Sequence, residues 1–495
     1  MEQNFKETLN LPQTNMPMRA GLAKREPEFL AIWEAQNLYQ KIQTKNQDKP
    51  AFILHDGPPY PNGDIHLGHA LNKILKDIIL KYKTMKGYSA PYVPGWDCHG
   101  LPIEIQLLKD LKKKKLEHKK EDTLWFRNEC RNYALRYVAT QKEQFKRLGI
   151  FGDWQNPYLT LNPEYEASII EQFGDLVDNG YIYRGRKPIH WCSSCETALA
   201  EAEIEYDEEK SASIYLKFVI TKNPKKIEGV TTDGQTALVV WTTTPWTLPA
   251  NVAAAVHPEH EYQIVLDPQR QKRYILITEL QEKVCSKLEI NNPQVIAKLK
   301  GQELASLFYT HPFIEQESPV VTAEYVSNED GTGIVHIAPG HGYDDYLVGL
   351  KYKLPIVMPV NDQGCFTKDA PSFLVGQPVF KANQDIIEKL QANEMLLKIE
   401  TLKHSYPHCW RCKKPVIFRA TKQWFVAMDQ KTTNPEAAKE EHLRSKAQAE
   451  IKKTKWIPAW GEGRITSMIE ARPDWCISRQ RSWGIPIPVI YCECG

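Results

Sequence analysis

Residues 56 to 79 read "DGPPYPNGDIHLGHALNKILKDII". A short apolar run, "AFIL" (51–54), precedes them. A loop rich in glycine and proline follows, and then Leu71, Ile74, Leu75, Ile78, Ile79 and Tyr82 recur at helical spacing. Strand, glycine loop and helix in that order open a nucleotide-binding unit, which predicts an α/β fold with a parallel sheet. His66 and His69 stand three positions apart at the helix start, on one face. As metal ligands they lack a third ligand nearby on the helix, although Asp64 is adjacent. As core histidines they sit badly beside Gly63 and Gly68, which let a ligand or another backbone come close. A helix N-terminus attracts anions, and imidazole donors add to that as charge builds on a phosphate. The nucleotide reading is therefore preferred. The loop matches neither G-x-x-x-x-G-K-[ST] nor G-x-G-x-x-G, which excludes the common nucleotide fingerprints.

Working outward, the chain has 495 residues, 42% hydrophobic and 25% charged, with a net charge of +2. That composition is globular. The small net charge provides no overall basic field, so any nucleic-acid contact must come from local patches. The lysine-rich run at 109–122 reads as a solvated helix or loop rather than an RNA contact. The first residues lack a signal-peptide apolar core, and no stretch approaches the ~18 apolar residues of a membrane span. From residue 203 to about 400, short β-type runs such as "ALVVWTTT" and "YILIT" alternate with turns, as in an inserted β-rich domain.

Six of the eleven cysteines fall in close pairs: Cys192/Cys195, Cys409/Cys412 and Cys492/Cys494. The first two are C-x-x-C knuckles on either side of the β-rich stretch. Four thiolates from two such knuckles make a closed tetrahedral Zn2+ site, one that would tie together the two feet of the insertion. His190 and His408 rank below the cysteines as ligands. Cys492/Cys494 has no partner pair, and reads as half of a second site or as a strand end.

The string "HLGH" (66–69) resembles the HIGH signature of the class I aminoacyl-tRNA synthetases. With "PYVPGWDCHGLPIE" (91–104) the resemblance is to the isoleucyl members; leucyl and valyl relatives share the architecture and differ in these loops. "LNLPQTNMPMRAGLAKREPEFLAIW" (9–33) is similar to the bacterial form, and "WCISRQRSWGIPIP" (475–488) adds a further match. The resemblance implies a Rossmann-type catalytic domain with a parallel sheet, interrupted by a β-rich editing domain. It divides the chain into an N-terminal segment (1–45), the first half of the catalytic domain (46–190), a zinc-knuckle junction (191–202 and 403–415), the editing insertion (203–402) and a return to the catalytic domain (416–495).

The implied activity is ATP-dependent activation of L-isoleucine and its transfer to tRNA(Ile), with hydrolytic editing of Val-tRNA(Ile). ATP would enter with Mg2+ as substrate. By position, His66 and His69 would contact ATP and the adenylate phosphate, and Gly57, Asn62, Gly63 and Gly68 would shape the adenylate loop. Leu67 replaces the signature's isoleucine. Asp97 would pair with the substrate's α-ammonium through a charge-assisted bond, and Pro58 would line the isoleucine pocket. Taken alone, Asp97 could cap a helix and Pro58 could stiffen a loop.

The strings "WTTTPWTLPAN" (241–251) and "GTGIVHIAPGHGYDDY" (331–346) resemble the family's editing site. Valine lacks one methylene of isoleucine, worth about 1–3 kcal/mol in a pocket, a limit for which these enzymes are the standard illustration. Asp345 would grip the α-ammonium of misattached valine. Thr242, Thr243 and Thr244 would surround the ester and the attacking water, His336 and Asn251 would shape the pocket, and Trp246 would border it. A run of threonines also suits a plain β-strand, and His336 alone could be a core histidine. With no evident serine or cysteine nucleophile, direct attack by water is expected. The resemblance further implies a cytoplasmic monomer without a membrane partner.

The family's KMSKS loop, anticodon-binding helical domain and C-terminal zinc region are not in this sequence. The expectation is that it is the N-terminal part of a protein about twice as long, unable by itself to activate isoleucine efficiently. The alternatives are a valyl- or leucyl-type enzyme, an aminoacyl-tRNA deacylase for this chain alone, or a zinc module that binds tRNA without chemistry.

Overall fold

A computed structural model describes residues 8–10, 20–433 and 441–492. Cys494, and with it the pair Cys492/Cys494, lies partly outside the described residues, as does part of the 9–33 string. The chain divides into two compact units, one formed by residues up to 172 together with those from 481, the other by 173–480.

The first unit carries helices α1 (Leu22–Ala35), α2 (Leu38–Asn46), α3 (Leu67–Met85), α4 (Leu101–Lys113) and α5 (Thr123–Arg147). Strands β1 (Gly95–Trp96) and β2 (Tyr158–Leu159) pair in parallel. The expected strand at 51–54 is reduced to a parallel bridge between Ala51 and Ser89. The class is α/β with parallel pairing. α5 forms where Asp122 caps the Trp125 N–H at 3.0 Å and Phe126, Cys130, Tyr133, Ala134, Val138, Gln141 and Phe145 fall on one buried face. They pack with Trp96, Ile103 and Leu161 in the core of this unit.

The helical spacing expected at 71–82 is present in α3, but the apolar stripe itself stays exposed, with Leu71 at 63% and Ile78 at 56%. The buried positions are Lys73, Asp77 and Leu80. The polar pair goes inward because partners wait there. Lys73 pairs with the buried Asp56. Asp77 accepts the Phe151 N–H at 3.0 Å and pairs with Lys81 at 2.6 Å.

The second unit is β-rich. β3 (Ile182–Cys192), β4 (Thr197–Leu199), β15 (Ile417–Val426) and β16 (Trp475–Cys476) form a four-stranded sheet in the order β16-β15-β3-β4. Between them in sequence lie β5 (Ile204–Lys222), β6 (Thr236–Thr242), β7 (Ala253–Val256), β8 (Glu261–Asp267), β9 (Lys272–Ile277), β10 (Gln294–Lys300), β11 (Phe308–Thr310), β12 (Glu317–Thr322), β13 (Ile334–Ile337) and β14 (Leu396–Cys409). These make a ten-stranded sheet in the order β10-β8-β9-β6-β5-β11-β12-β7-β13, with β14 also on β5. Every residue of β7, "AAAV", is buried, with β12 parallel on one side and β13 antiparallel on the other. β5 and β14 run as one long antiparallel ribbon that ends at the pair Ile204–Cys409. Among the described residues no helix is long and apolar enough to cross a membrane.

Candidate functional site

In the first unit, α3 begins on a reciprocal cap. His66 Nδ1 accepts the backbone N–H of Gly68 at 3.1 Å and of His69 at 3.4 Å, and His69 Nδ1 accepts the His66 N–H at 3.4 Å. The two rings stack with centroids 3.8 Å apart. Because Nδ1 is the acceptor in both rings, the proton of each neutral imidazole sits on Nε2. For His69, burial and then the nearby His66 and Lys73 hold the pKa below its ordinary value, which keeps the ring neutral. Gly68 follows from the same geometry, since a Cβ there would lie 2.9 Å from His66 Cε1. The space beside Gly57 and Gly63 is open; a Cβ at either would meet nothing within 4 Å.

The loop between them is fastened from behind by α5. Gln141 Nε2 donates to the carbonyls of Tyr60 (3.1 Å) and Gly63 (2.8 Å), and its Oε1 accepts the Trp96 Nε1–H at 2.9 Å. Gln144 accepts the Ile65 N–H at 2.9 Å and donates to Asp64 at 2.8 Å. Replacing the fully buried Gln141 by leucine takes away the partner of the buried Trp96 N–H and of two half-buried carbonyls, those of Tyr60 and Gly63. About 3 kcal/mol of stability should be lost, read as a lower denaturant midpoint for this unit.

Asn62 and Pro58 are half-buried in this loop, and the half-buried Asp97, just after β1, joins it through its N–H to Pro59 O at 3.0 Å. At the loop's start Asp56 pairs with Lys73 and Lys76 and accepts the Tyr92 hydroxyl at 2.6 Å. Burial pushes the Asp56 pKa up, but these partners outweigh it and hold the carboxyl below its usual range.

In the second unit, β3 ends at Cys192 and β14 at Cys409. The sulfurs of Cys192, Cys195, Cys409 and Cys412 all lie within 4.8 Å of one another, and those of Cys192 and Cys412 are 3.5 Å apart. Four thiolates around zinc at about 2.3 Å require sulfur separations of about 3.8 Å, so the donor set fits that ion. Glu196 and Lys413, each just past a knuckle, take left-handed φ values of 51° and 57°. His190 instead packs on Phe418, and His408 Nδ1 lies 2.8 Å from Tyr406 O. Among the described residues the group able to hold a metal consists of the four cysteines.

The second constellation lies where β6 ends. Thr244 N–H donates to Thr242 Oγ1 at 3.1 Å, and the two hydroxyls are 3.3 Å apart, with Thr243 half-buried between them. The following turn, Pro245–Ala250, is wholly buried. Trp246 is held by its N–H to Asn383 Oδ1 at 3.0 Å and meets the His341 ring edge-on at 4.8 Å. Thr247 Oγ1 donates to Thr244 O at 2.8 Å and lies 3.0 Å from His336 Nε2. Asn251 is spent on bracing: it donates to Ala253 O at 2.8 Å and accepts the Tyr309 hydroxyl at 2.6 Å. Asp345, on the helix Tyr343–Tyr352, accepts the Ala338 N–H at 2.8 Å and the Tyr325 hydroxyl at 2.9 Å. Ala338 directly follows β13, which carries His336, so Asp345 is tied to the strand that bears the histidine.

Burial pulls His311, His336 and His341 down to about 4, so all three are neutral at pH 7. In the unfolded chain they bind protons near pH 6.5. Between about pH 6.5 and 4 the unfolded state therefore holds more protons, and stability falls as pH falls through that window. The slope is about 1.4 kcal/mol per pH unit for each histidine. A melting series from pH 7 to 4.5 should show this loss in the second unit.

The family model for tRNA synthetases class I (I, L, M and V) matches residues 28–494. The chain belongs to this class I synthetase family. The isoleucine–tRNA ligase of Carboxydothermus hydrogenoformans is 53% identical over 99% of this chain and 51% of its own length. That of Moorella thermoacetica is 52% identical with the same coverage. The chain thus spans about half the length of the curated relatives it matches. A solved LeuRS–tRNA–LeuAMS complex from Agrobacterium radiobacter K84 shares 17% identity over 83% of this chain and 51% of its own, with a TM-score of 0.33, too low for a fold comparison.

In this chain the structure adds residues that sequence reasoning missed. Gln141 and Gln144 hold the glycine loop, Thr247 joins the threonine turn to His336, and Tyr325 reaches Asp345. Thr247 lies inside the quoted string "WTTTPWTLPAN", so it could have been singled out. No local pattern marks the other three.

Proposed function

We propose that the chain carries the nucleotide and amino-acid loops and the editing domain of an isoleucine–tRNA ligase. The reciprocal cap of His66 and His69 beside an open glycine loop is the observation that carries the reading. In it ATP, with its Mg2+, lies over Gly57, Asn62, Gly63 and Gly68. The Nε2–H groups of His66 and His69 donate to phosphate oxygens as the isoleucine carboxylate attacks the α-phosphate and pyrophosphate leaves. Asp97 fixes the α-ammonium and Pro58 borders the side chain. Transfer to tRNA(Ile) follows. Valine that slips through is removed in the second unit, where water attacks the ester carbonyl among Thr242, Thr243, Thr244 and His336 while Asp345 holds the ammonium. Trp246 and Asn251 wall and brace that pocket. Zinc on Cys192, Cys195, Cys409 and Cys412 would hold the feet of the insertion. The five-part division at 45/46, 190/191, 202/203, 402/403 and 415/416, a monomeric state and a cytoplasmic location belong to the same proposal.

Gly68→Ala tests the phosphate site. The added methyl collides with the His66 ring and breaks the cap, costing about 1 kcal/mol of helix stability. It should lower adenylate formation by about tenfold or more in an enzyme of the relatives' length. An unchanged rate overturns the phosphate role.

A second reading, for the chain alone, is an aminoacyl-tRNA deacylase, supported by the joined threonine turn, His336 and Asp345 of the second unit. Pyrophosphate exchange with isoleucine is expected to be a small fraction of a full-length relative's rate, with selective hydrolysis of Val-tRNA(Ile) over Ile-tRNA(Ile). Near-full exchange rejects the deacylase reading, and failure to prefer isoleucine in a full-length amino-acid panel rejects the isoleucyl assignment.

A further inference from the structure

We propose that Thr247 is a positioning residue that locks His336 in its Nε2–H tautomer, leaving Nδ1 as a buried acceptor for a hydroxyl. The inference rests on the editing reading and deepens it. Thr247 has one hydroxyl hydrogen, and it is used: Oγ1 donates to the Thr244 carbonyl at 2.8 Å, and a carbonyl can only accept. The 3.0 Å contact between Thr247 Oγ1 and His336 Nε2 must then run the other way, with Nε2–H as donor. A neutral imidazole has one N–H, so Nδ1 keeps its lone pair. That atom is buried without a hydrogen-bond partner, in a residue 7% exposed. Leaving a buried acceptor empty costs free energy, which is recovered when a donor arrives.

The donor has the chemistry of an O–H group. At an aminoacyl ester there are two sources, the attacking water and the free ribose hydroxyl next to the ester. Thr244 links the lock to the reaction, since its carbonyl takes the Thr247 hydrogen while its own hydroxyl and N–H meet Thr242. The chain from Thr242 to His336 is continuous. His336 does not need to change charge in this role; it accepts a hydrogen bond as a neutral ring.

The test uses the whole chain with 15N-labelled histidine, the His336 signal being assigned by its loss in His336→Gln. The expected spectrum shows His336 as the Nε2–H tautomer. Thr247→Val keeps the shape and removes the hydroxyl; it should release the tautomer preference and slow Val-tRNA(Ile) hydrolysis about tenfold. Thr247→Ser should restore both. An Nδ1–H tautomer in the unsubstituted chain overturns the proposal, as does a Thr247→Val variant unchanged in tautomer and rate. A valyl-tRNA whose terminal ribose lacks the neighbouring hydroxyl separates the sources: loss of the Thr247→Val effect assigns the donor to the ribose, and its persistence assigns it to water. If the unsubstituted chain hydrolyses no Val-tRNA yet shows the Nε2–H tautomer, the editing reading fails and the lock is upheld.

Discussion

Asp345→Ala is expected to slow hydrolysis of Val-tRNA(Ile) by roughly 10²-fold or more. The substrate's α-amino group is protonated below about pH 7.7, and a carboxylate is the side chain that meets this cation with a charge-assisted hydrogen bond. Asp345 is already fixed for that task. One oxygen accepts the Ala338 N–H and the other the Tyr325 hydroxyl, so the carboxylate loses little freedom when substrate binds. Alanine removes the charge and leaves both donors unanswered. The pH dependence separates this role from a packing role. Burial raises the Asp345 pKa despite the two donors. The ionised form is the active one, so the rate should fall on acidification at a pH above the ordinary carboxylate range. Asp345→Asn should lose that acid limb, because amide does not titrate, while keeping the shape. Rates measured from pH 5 to 8 check both points. A variant within threefold of the parent, or an acid limb that survives in Asp345→Asn, removes Asp345 from the reaction.

What could be read in the sequence was local. His66 and His69 cap each other across three residues, and the glycine loop before them with the helical repeat after them placed both at a helix start. The C-x-x-C pairs behaved the same way, each knuckle closing within four residues. The threonine string and the Asp345 string were visible as strings. The inward face of α3 was not. Its apolar positions follow the helical period, but Lys73 and Asp77 turn inward for Asp56 and Phe151, which the period cannot announce. The same limit hid Gln141, whose loop partners lie 78 and 81 residues away. It also hid the contact of Thr247 with His336 across 89 residues. The short strand at 51–54 failed for a related reason: an apolar run shows β tendency, but the length of a ladder depends on partners elsewhere.

Removing zinc is expected to loosen one end of the second unit and leave its sheet folded. Metal analysis of the purified chain should find one zinc, and Cys409→Ser should abolish it. The knuckles join β3 to β14 across more than two hundred residues, Cys192 and Cys412 being 220 apart. The entropy of closing a loop grows slowly with its length, so most of the cost is met by the sheet itself, whose core does not involve the cysteines. What the metal would hold is the far end of the β5–β14 ribbon, where Cys409 pairs with Ile204 and where Leu199, Cys192, Cys409 and Val416 make a small buried cluster with Ile204 and Trp410 packed against it. Four thiols without a metal are a weak substitute for a closed site, because structural zinc contributes directly to folding. Loss of one ligand should cost about 3–5 kcal/mol, a fall of roughly 10 °C in Tm for a unit of this size. Hydrogen exchange should speed up at 192–204 and 406–416 on chelation. The central strand β7, with all four residues buried between β12 and β13, should stay protected. Uniform loss of protection across both regions would mean that the cysteines hold the whole sheet. An unchanged Tm after chelation, with no zinc in the purified chain, would mean that they hold no metal.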